Sequence, residues 1–162
     1  STAYGIWGLL YSEEGDTELA DRSFRRSLRI DSDNSQVRNN YAAFLFANAR
    51  YEEAYENLER VVEDTEYTLR AQSFENMGFA PLQLNDMEGA EYAFGRALQL
   101  NSNQLQSNLE LADIYLQKGN KLQARTYYSA FLTLAQFFNI EQSARSLAIG
   151  GQVQTDADVE GD

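Results

Sequence analysis

The chain has 162 residues and a formal charge of −12, with one Pro and neither Cys nor His. Without Cys there are no disulfides or thiolate zinc sites, and without His the commonest general base and metal ligand are missing. Because nucleic acids and anionic membranes are bound through Lys and Arg, the acidic excess disfavours both as partners. We therefore expect a protein that is not an enzyme, holds no cofactor or metal and does not bind nucleic acid.

Four segments of the chain repeat one pattern of small and large residues. Aligning ELADRSFRRSL, EEAYENLERVV, EGAEYAFGRAL and LQARTYYSAFL superposes Ala20, Ala54, Ala90 and Ala124, at spacings of 34, 36 and 34 residues. A period near 34 is typical of the tetratricopeptide repeat, a helix-turn-helix unit. The pattern predicts an all-α fold, a tetratricopeptide-repeat superhelix (α-solenoid) of four such repeats plus the first helix of a fifth.

The alignment also divides the chain into units. The predicted repeats span residues 1–34, 35–68, 71–104 and 105–138 of a single solenoid domain. Their eighth places hold Gly8, Ala42, Gly78 and Ala112, small residues that let the two helices of a unit approach closely. Turns are predicted at Gly15-Asp16, Asn85-Asp86 and Gly119-Asn120. Since each hairpin buries its apolar stripe against the next, stability is expected from neighbouring units rather than from one central core.

The third unit departs from the regular repeat in two ways. The 36-residue spacing indicates a two-residue insertion, which we place within residues 64–70. Pro81 falls at the eleventh place of the unit, inside a predicted helix, where it has no amide to donate and is expected to clash with the carbonyl of Met77. The sequence therefore predicts a kink or an early helix end at Pro81.

The repeat pattern is incomplete after the fourth unit. Residues 139–150 are predicted as a partial repeat helix, and residues 151–162 as an acidic loop or disordered tail. An array that ends on an unpaired helix leaves an apolar face open. No stretch reaches the roughly 20 apolar residues of a membrane span. Since the chain begins at Ser1 without Met or a signal stretch, we expect it to be a piece of a longer protein.

The charged residues of the chain are expected to be structural. The adjacent acids Glu13-Glu14, Glu52-Glu53 and Glu63-Asp64 point about 100° apart on a helix, so solvated faces are favoured over an acid/base pair. On the second helix of unit one, four arginines follow Glu18 and Asp21 at three- and four-residue spacing: Arg22, Arg25, Arg26 and Arg29. Pairing within the helix is favoured over an anion site.

A binding surface is predicted on the first helices of units two to four. In repeats resembling these, places 2, 5, 9, 12 and 13 line the concave face, and they mix apolar anchors with amides. Here they hold Gln36, Asn39, Ala43, Phe46, Ala47, Gln72, Glu75, Phe79, Leu82, Gln83, Gln106, Leu109, Asp113, Leu116 and Gln117. Such a lining suits an extended or helical peptide. The Lys or Arg residues of a carboxylate clamp are missing, and Asn40 and Asn76, at the sixth place, are expected to hydrogen-bond between repeats.

Several stretches go beyond a generic repeat. Residues 38–58, 63–86, 108–119 and 143–150, above all Asn39-Asn40-Tyr41 and Phe74-Glu75-Asn76-Met77-Gly78, resemble the PilF/PilW family of type IV pilus biogenesis proteins. The resemblance covers nearly the whole chain and includes the insertion between units two and three. It implies a pilotin, a lipoprotein on the periplasmic face of the bacterial outer membrane that assists assembly of the pilus secretin pore. The lipid-bearing Cys of that family is absent, so any membrane attachment would depend on an anchor outside this chain.

Three hypotheses follow for the function. The leading one is a non-enzymatic scaffold that binds a pilus secretin subunit through its concave groove, or through its open carboxy-terminal face. A generic cytosolic repeat adaptor with another peptide partner is the alternative. A hydrolase that uses paired Glu or Asp residues is the third, and it requires an enclosed cleft around two carboxylates.

Overall fold

The computed structural model describes the backbone of residues 2–159 and the side-chain surroundings of residues 2–139, 141 and 142. Within these residues all secondary structure is helical. The eight helices are α1 (Thr2–Glu13), α2 (Thr17–Ile30), α3 (Ser35–Ala47), α4 (Tyr51–Glu63), α5 (Arg70–Gln83), α6 (Met87–Leu100), α7 (Leu105–Gln117) and α8 (Lys121–Val159). Successive helices pair as hairpins, α1 with α2 through to α7 with α8. This is the predicted all-α solenoid.

Small residues bring the two helices of a hairpin together. A Cβ atom on Gly8 would lie 2.8 Å from the ring of Phe24, and one on Gly78 would lie 2.7 Å from the ring of Phe94. Real Cβ atoms do not approach other carbon atoms this closely, so each ring occupies the space that a larger residue would need. The eighth place of units one and three therefore requires glycine.

Side-chain caps and residues with positive φ angles define the turns between helices. Asp16, Asn34 and Asp86 each accept a hydrogen bond from the amide three residues ahead, at 2.9 to 3.1 Å, which satisfies one free donor at the start of a helix. Gly15 and Gly119 adopt φ values of 79° and 76°, a region that glycine enters at little cost. The predicted turns are thus confirmed.

The apolar core is divided among junctions between units. One cluster joins Phe24 of α2 to Tyr41 and Phe44 of α3. A second joins α4 to α5 and α6, and a third joins Phe94 of α6 to Leu111 of α7. Each unit is therefore held by its neighbours, as the repeat pattern predicts.

The two-residue insertion lies between α4 and α5, as the 36-residue spacing predicts. Four residues connect α2 to α3 and α6 to α7, whereas six residues, 64–69, connect α4 to α5. Asp64 accepts a hydrogen bond from the Ser35 hydroxyl at 2.5 Å, and the Arg70 guanidinium donates to the Val62 carbonyl at 2.6 Å. The first contact ties the connection to the start of α3, and the second joins the two helices that flank it, α4 and α5.

Two predictions about helix ends need correction. The early helix end at Pro81 is wrong, because α5 continues to Gln83, the same place in its unit at which α1 and α3 end. Pro81 lies in the last turn of α5, with only Leu82 and Gln83 after it, so its missing amide costs one hydrogen bond to the Met77 carbonyl, and it is buried near Gly89 of α6. Its ring serves as a packing surface within unit three.

The second correction concerns the carboxy-terminal end. Residues 139–150 do not form a separate helix, and residues 151–159 are helical rather than a loop, because α8 runs unbroken from Lys121 to Val159. No Pro or Gly occurs between residues 121 and 149, and once a helix has started each further residue adds a hydrogen bond. Residues 160–162 of the predicted tail lie outside the described residues.

Candidate protein-binding groove

The first helices of neighbouring units lie side by side. α1 contacts α3, and α3 contacts α5, so these helices line the inner side of the array. Between α3 and α5 is a cavity of about 180 Å³, lined by Asn39, Ala42, Ala43, Phe46, Leu58, Asn76 and Phe79. We call this cavity the inner pocket. Four of the predicted groove residues meet there, namely Asn39, Ala43, Phe46 and Phe79.

The two phenylalanines of the inner pocket also belong to the packing of their units. The Phe46 ring stands edge-on to Tyr51 with 5.1 Å between ring centroids, and the Phe79 ring stands edge-on to Phe94 at 5.2 Å. Both phenylalanines are half-buried. The contacts with Tyr51 and Phe94 hold the two rings in place, so the pocket has a preformed apolar wall.

Residues at the fifth place of a unit connect it to the next unit. The Ser73 hydroxyl donates to Asn39 Oδ1 at 3.1 Å. Ser107 donates from its amide and its hydroxyl to Glu75 Oε2, at 2.8 and 2.7 Å. Glu75 is only 7% exposed, so its carboxylate holds units three and four together and is not presented to the groove.

Asn40 and Asn76 do not make the inter-repeat hydrogen bonds that the sequence led us to expect. Asn40 Oδ1 accepts from Gln36 Nε2 at 3.2 Å, and Asn76 Oδ1 accepts from Gln72 Nε2 at 3.3 Å, both within one helix. The connection between repeats is made one place earlier, by Asn39 and Glu75. These side chains face the third place of the next unit, which holds Ser73 and Ser107 respectively. The amide pairs at places 2 and 6 instead line the first-helix face.

The remaining predicted residues lie along the same helices but do not line the inner pocket. Gln83 is exposed at the end of α5, and on α7 Asp113 and Leu116 are exposed while Leu109 is half-buried. Gln106 donates to Glu110 at 2.8 Å, the unit-four counterpart of the amide pairs. The structure thus gathers a compact apolar site at units two and three and a more open surface at unit four. Three residues of the inner pocket were not predicted for the groove: Ala42 and Leu58, whose places in the repeat are core places, and Asn76, which was expected to hydrogen-bond between repeats.

The opposite side of the array is dominated by ion pairs. Arg50 Nη1 lies 2.5 Å from Asp21 Oδ1, and Arg50 Nη2 lies 2.6 Å from Glu53 Oε2. Asp21 also accepts from Arg25 at 2.7 Å and from the Tyr41 hydroxyl at 2.8 Å. We call these five residues the Asp21 network. It joins α2 of unit one to α3 and the start of α4 in unit two.

The network shifts the pKa values of its members. Burial alone would raise the pKa of Asp21, but hydrogen bonds from Arg50, Tyr41 and Arg25 outweigh it and lower the pKa below its ordinary value of 3.8. The Arg50 hydrogen bond lowers the pKa of Glu53 against a smaller opposing effect of burial. Burial, together with the hydrogen bond to Asp21, raises the pKa of Tyr41 to about 12. These carboxylates are stabilised as anions and do not form an acid/base pair.

The predicted pairing of the arginines within α2 is confirmed for two of them. Arg22 pairs with Glu18 and Arg25 with Asp21, both at 2.7 Å. Arg26 instead stacks over the Tyr4 ring at 4.4 Å. Within the described part of the chain, no group of three or more acidic side chains is arranged to hold a metal ion.

Comparison with known proteins now decides the family. The tetratricopeptide repeat family matches residues 1–34 and 105–137. The type IV pilus assembly protein PilF of Pseudomonas aeruginosa is 38% identical over 148 residues, which are 91% of this chain and 57% of that protein. A solved structure of Pseudomonas aeruginosa PilF superposes with a TM-score of 0.77 at 33% identity, covering 91% of this chain and 73% of that one. The chain belongs to the PilF/PilW family of tetratricopeptide-repeat type IV pilus biogenesis proteins.

A further crystal structure agrees in fold. PilW, a widely conserved type IV pilus biogenesis factor, superposes with a TM-score of 0.71 at 22% identity, covering 83% of this chain and 62% of that one. The chain spans 57% of the length of the curated Pseudomonas aeruginosa relative. Among the helices described for this family member, none combines the length and apolar character needed to cross a membrane.

Proposed function

We propose that this protein is a non-enzymatic scaffold of type IV pilus biogenesis that binds a segment of the pilus secretin subunit in its inner groove. In the full-length protein this would occur on the periplasmic face of the outer membrane, at a lipid anchor outside this chain, and would assist assembly of the secretin pore. Family membership supports the pilus role over a generic cytosolic adaptor. The observation that carries the binding site is the inner pocket between α3 and α5.

The inner pocket has the chemistry to hold one apolar side chain of a peptide. Phe46 and Phe79 form its apolar walls, and Asn39 and Asn76 lie beside them. Each asparagine already accepts a hydrogen bond through Oδ1, which directs its Nδ2 donors to a different acceptor. A peptide carbonyl is such an acceptor, so the amides would hold the backbone while the pocket takes the side chain.

The direct test is binding between the full-length mature protein and the secretin subunit, measured by isothermal titration calorimetry. Ala43→Trp should fill the inner pocket without removing a packed ring, because Ala43 is exposed at its edge. We expect about a tenfold or greater loss of affinity, the usual effect of blocking a binding hot spot. Glu52→Trp, at an exposed site on α4, is the matched control and should bind like the wild type.

A second pair of variants compares a ring of the inner pocket with a ring outside it. Phe79→Ala should weaken secretin binding, and Tyr92→Ala on the opposite side of the array should not, although Tyr92 is the more exposed ring. Circular dichroism checks that both variants stay helical. Absence of secretin binding by the folded wild-type protein, or undiminished binding by Ala43→Trp, would contradict the proposal.

A further inference from the structure

Place 26 of the repeat holds an arginine in each of the first three units, namely Arg26, Arg60 and Arg96. In unit one the Arg26 guanidinium lies 4.4 Å from the centroid of the Tyr4 ring, at place 4. In unit three Arg96 lies 5.4 Å from the centroid of Phe74, at the same place. The face of an aromatic ring attracts a cation, so in these two units the arginine has a partner inside its own hairpin.

Unit two departs from this arrangement, because its place 4 holds Arg38 instead of an aromatic residue. Arg38 and Arg60 line the same two cavities, of about 800 and 480 Å³, on the side of the array away from the inner pocket. Burial lowers the pKa of Arg38, and the nearby charge of Arg60 lowers it further. Two like charges therefore lie close together where units one and three have an attraction.

Neutral groups hold Arg38 in place. Its Nη1 donates to Asn57 Oδ1 at 3.1 Å, and its Nη2 donates to the Ser32 carbonyl at 2.5 Å. Among the described residues no carboxylate forms an ion pair with Arg38 or Arg60. The two hydrogen bonds orient the half-buried guanidinium of Arg38 without neutralising it, and they leave some of its N–H donors for another acceptor.

The acids around the two arginines restrict the ligand that would fit. Asp33, Glu63 and Asp64 line the smaller cavity. Asp33 accepts from the Ser32 hydroxyl at 3.1 Å, and Asp64 accepts from the Ser35 hydroxyl at 2.5 Å. These acids would repel a ligand with many negative charges, such as a nucleic acid or an anionic membrane. A single carboxylate with a basic group beside it matches both signs of charge in the cavity.

We propose that this cavity binds the carboxylate of an Asp or Glu side chain of a partner protein, held between the guanidiniums of Arg38 and Arg60. A Lys or Arg next to that acid in the partner would meet Asp33 and Glu63. We call this the Arg38–Arg60 site. A residue that conflicts with the local pattern of a fold is typical of a functional site, and Arg38 is such a residue at place 4.

Arginine side-chain NMR of the chain, with sodium acetate added at constant ionic strength, tests the site directly. The Nε–H signals of Arg38 and Arg60 should shift along a saturating curve, and those of Arg26 and Arg96 should not. A capped Lys-Glu dipeptide should reach half-saturation at a several-fold lower concentration than acetate, because its lysine meets the acids. Shifts that stay linear in all four arginines would overturn the proposal.

Two further probes test the chemistry of the ligand. A capped Lys-Gln dipeptide, which lacks the carboxylate, should leave the Arg38 and Arg60 signals unchanged. Inorganic phosphate should bind no more tightly than the Lys-Glu dipeptide, since the surrounding acids repel its second charge. Equal responses to the two dipeptides, or tighter binding of phosphate, would overturn the assignment to an acidic side chain.

Arg60→Gln and Arg26→Gln are matched variants, because both remove a charge from an exposed place 26. Arg60→Gln should abolish the saturating response of the Arg38 signal to the Lys-Glu dipeptide, and Arg26→Gln should respond like the wild type. Arg60→Lys keeps the charge but loses the planar fork, so its binding should be several-fold weaker. A response that survives Arg60→Gln would contradict the two-arginine site.

Melting temperatures provide a readout that a packing role would move in the opposite direction. Without ligand, Arg60→Gln should melt at or above the wild-type temperature, because a repulsion is removed, and Arg26→Gln should melt below it, because the contact with Tyr4 is lost. The Lys-Glu dipeptide should raise the melting temperature of the wild type and not that of Arg60→Gln. If Arg60→Gln melted below Arg26→Gln, Arg60 would be a packing residue of unit two and the proposal would be wrong.

Discussion

Two glycines of unit three illustrate how one methyl group has opposite effects at different sites. A Cβ on Gly78 would lie 2.7 Å from the Phe94 ring, whereas a Cβ on Gly95 of α6 would meet nothing within 4 Å. We expect Gly78→Ala to lower the free energy of unfolding by about 1–3 kcal/mol through overpacking. Gly95→Ala should raise it by up to about 1 kcal/mol, since alanine is the better helix former. Urea denaturation measures both, and equal effects of the two substitutions would contradict the packing account.

The Asp21 network makes the junction of units one and two sensitive to acid. The pKa of Asp21 is lowered in the folded protein, so its contribution to stability is present above the ordinary pKa of 3.8 and is lost as the pH falls through the lower, folded value. Glu53 behaves in the same way below its ordinary value of 4.5. Acid should therefore weaken the contact between these two units.

Asp21→Asn tests this pH dependence. At neutral pH the variant should lose about 1–3 kcal/mol of unfolding free energy, the usual cost of removing a hydrogen-bonded charge. As the pH falls through the folded-state pKa of Asp21, which lies below 3.8, the wild type and the variant should converge, because the wild-type carboxylate then becomes protonated too. Chemical denaturation at several pH values measures the difference. Glu18→Gln, in an exposed pair of the same helix, is the control and should show little change at either pH.

At the scale of helices, one buried carboxylate couples units three and four. Glu75 of α5 accepts both the amide and the hydroxyl of Ser107 at the start of α7. Glu75→Ala would leave these buried donors without a partner, and we expect a loss of about 1–3 kcal/mol. Glu56→Ala, at an exposed site on α4, is the matched control. If Glu75→Ala lowered the free energy of unfolding no more than the control does, the hydrogen bonds between Glu75 and Ser107 would not contribute to the coupling of units three and four.

The helices and their pairing could be predicted from the sequence because the signals are local and recur. Capping residues and small eighth places recur with the repeat, and each acts within one hairpin. The end of α5 was mispredicted because the one amide hydrogen bond that Pro81 lacks does not outweigh the packing of its buried ring near Gly89 of α6, a contact that the repeat period does not specify. The course of α8 was missed because no Pro or Gly stops the helix between residues 121 and 149, and it continues through a repeat boundary and past Gly150 and Gly151.

The contacts made by the predicted groove residues were harder to predict than the location of the groove. Phe46, Phe79 and Ala43 could be placed by repeat position alone. The burial of Glu75 depends on Ser107, which is 32 residues away, and the pairing of Asp21 with Arg50 spans 29 residues. Such contacts depend on how neighbouring units are rotated against each other, which the period of a sequence does not specify.

Across the whole molecule, stability is distributed along the array. Each apolar cluster joins one unit to the next, and no described cluster spans all four units. In such a one-dimensional arrangement, a defect in an end unit weakens one inter-unit contact, whereas a defect in a central unit weakens two. The effect of a substitution should therefore depend on the position of its unit as well as on the local clash.

Gly8→Ala and Gly78→Ala test this, because the two substitutions create nearly the same clash, with Phe24 and with Phe94 respectively. By hydrogen exchange, Gly8→Ala should reduce protection in α1 and α2 and leave α5 to α7 close to wild type. Gly78→Ala should reduce protection in α5 and α6 and also in α4 and α7, which pack against them from either side. A uniform loss across all units in both variants would instead mean that the array unfolds as one cooperative block, and that the contacts between units are stronger than the contacts within them.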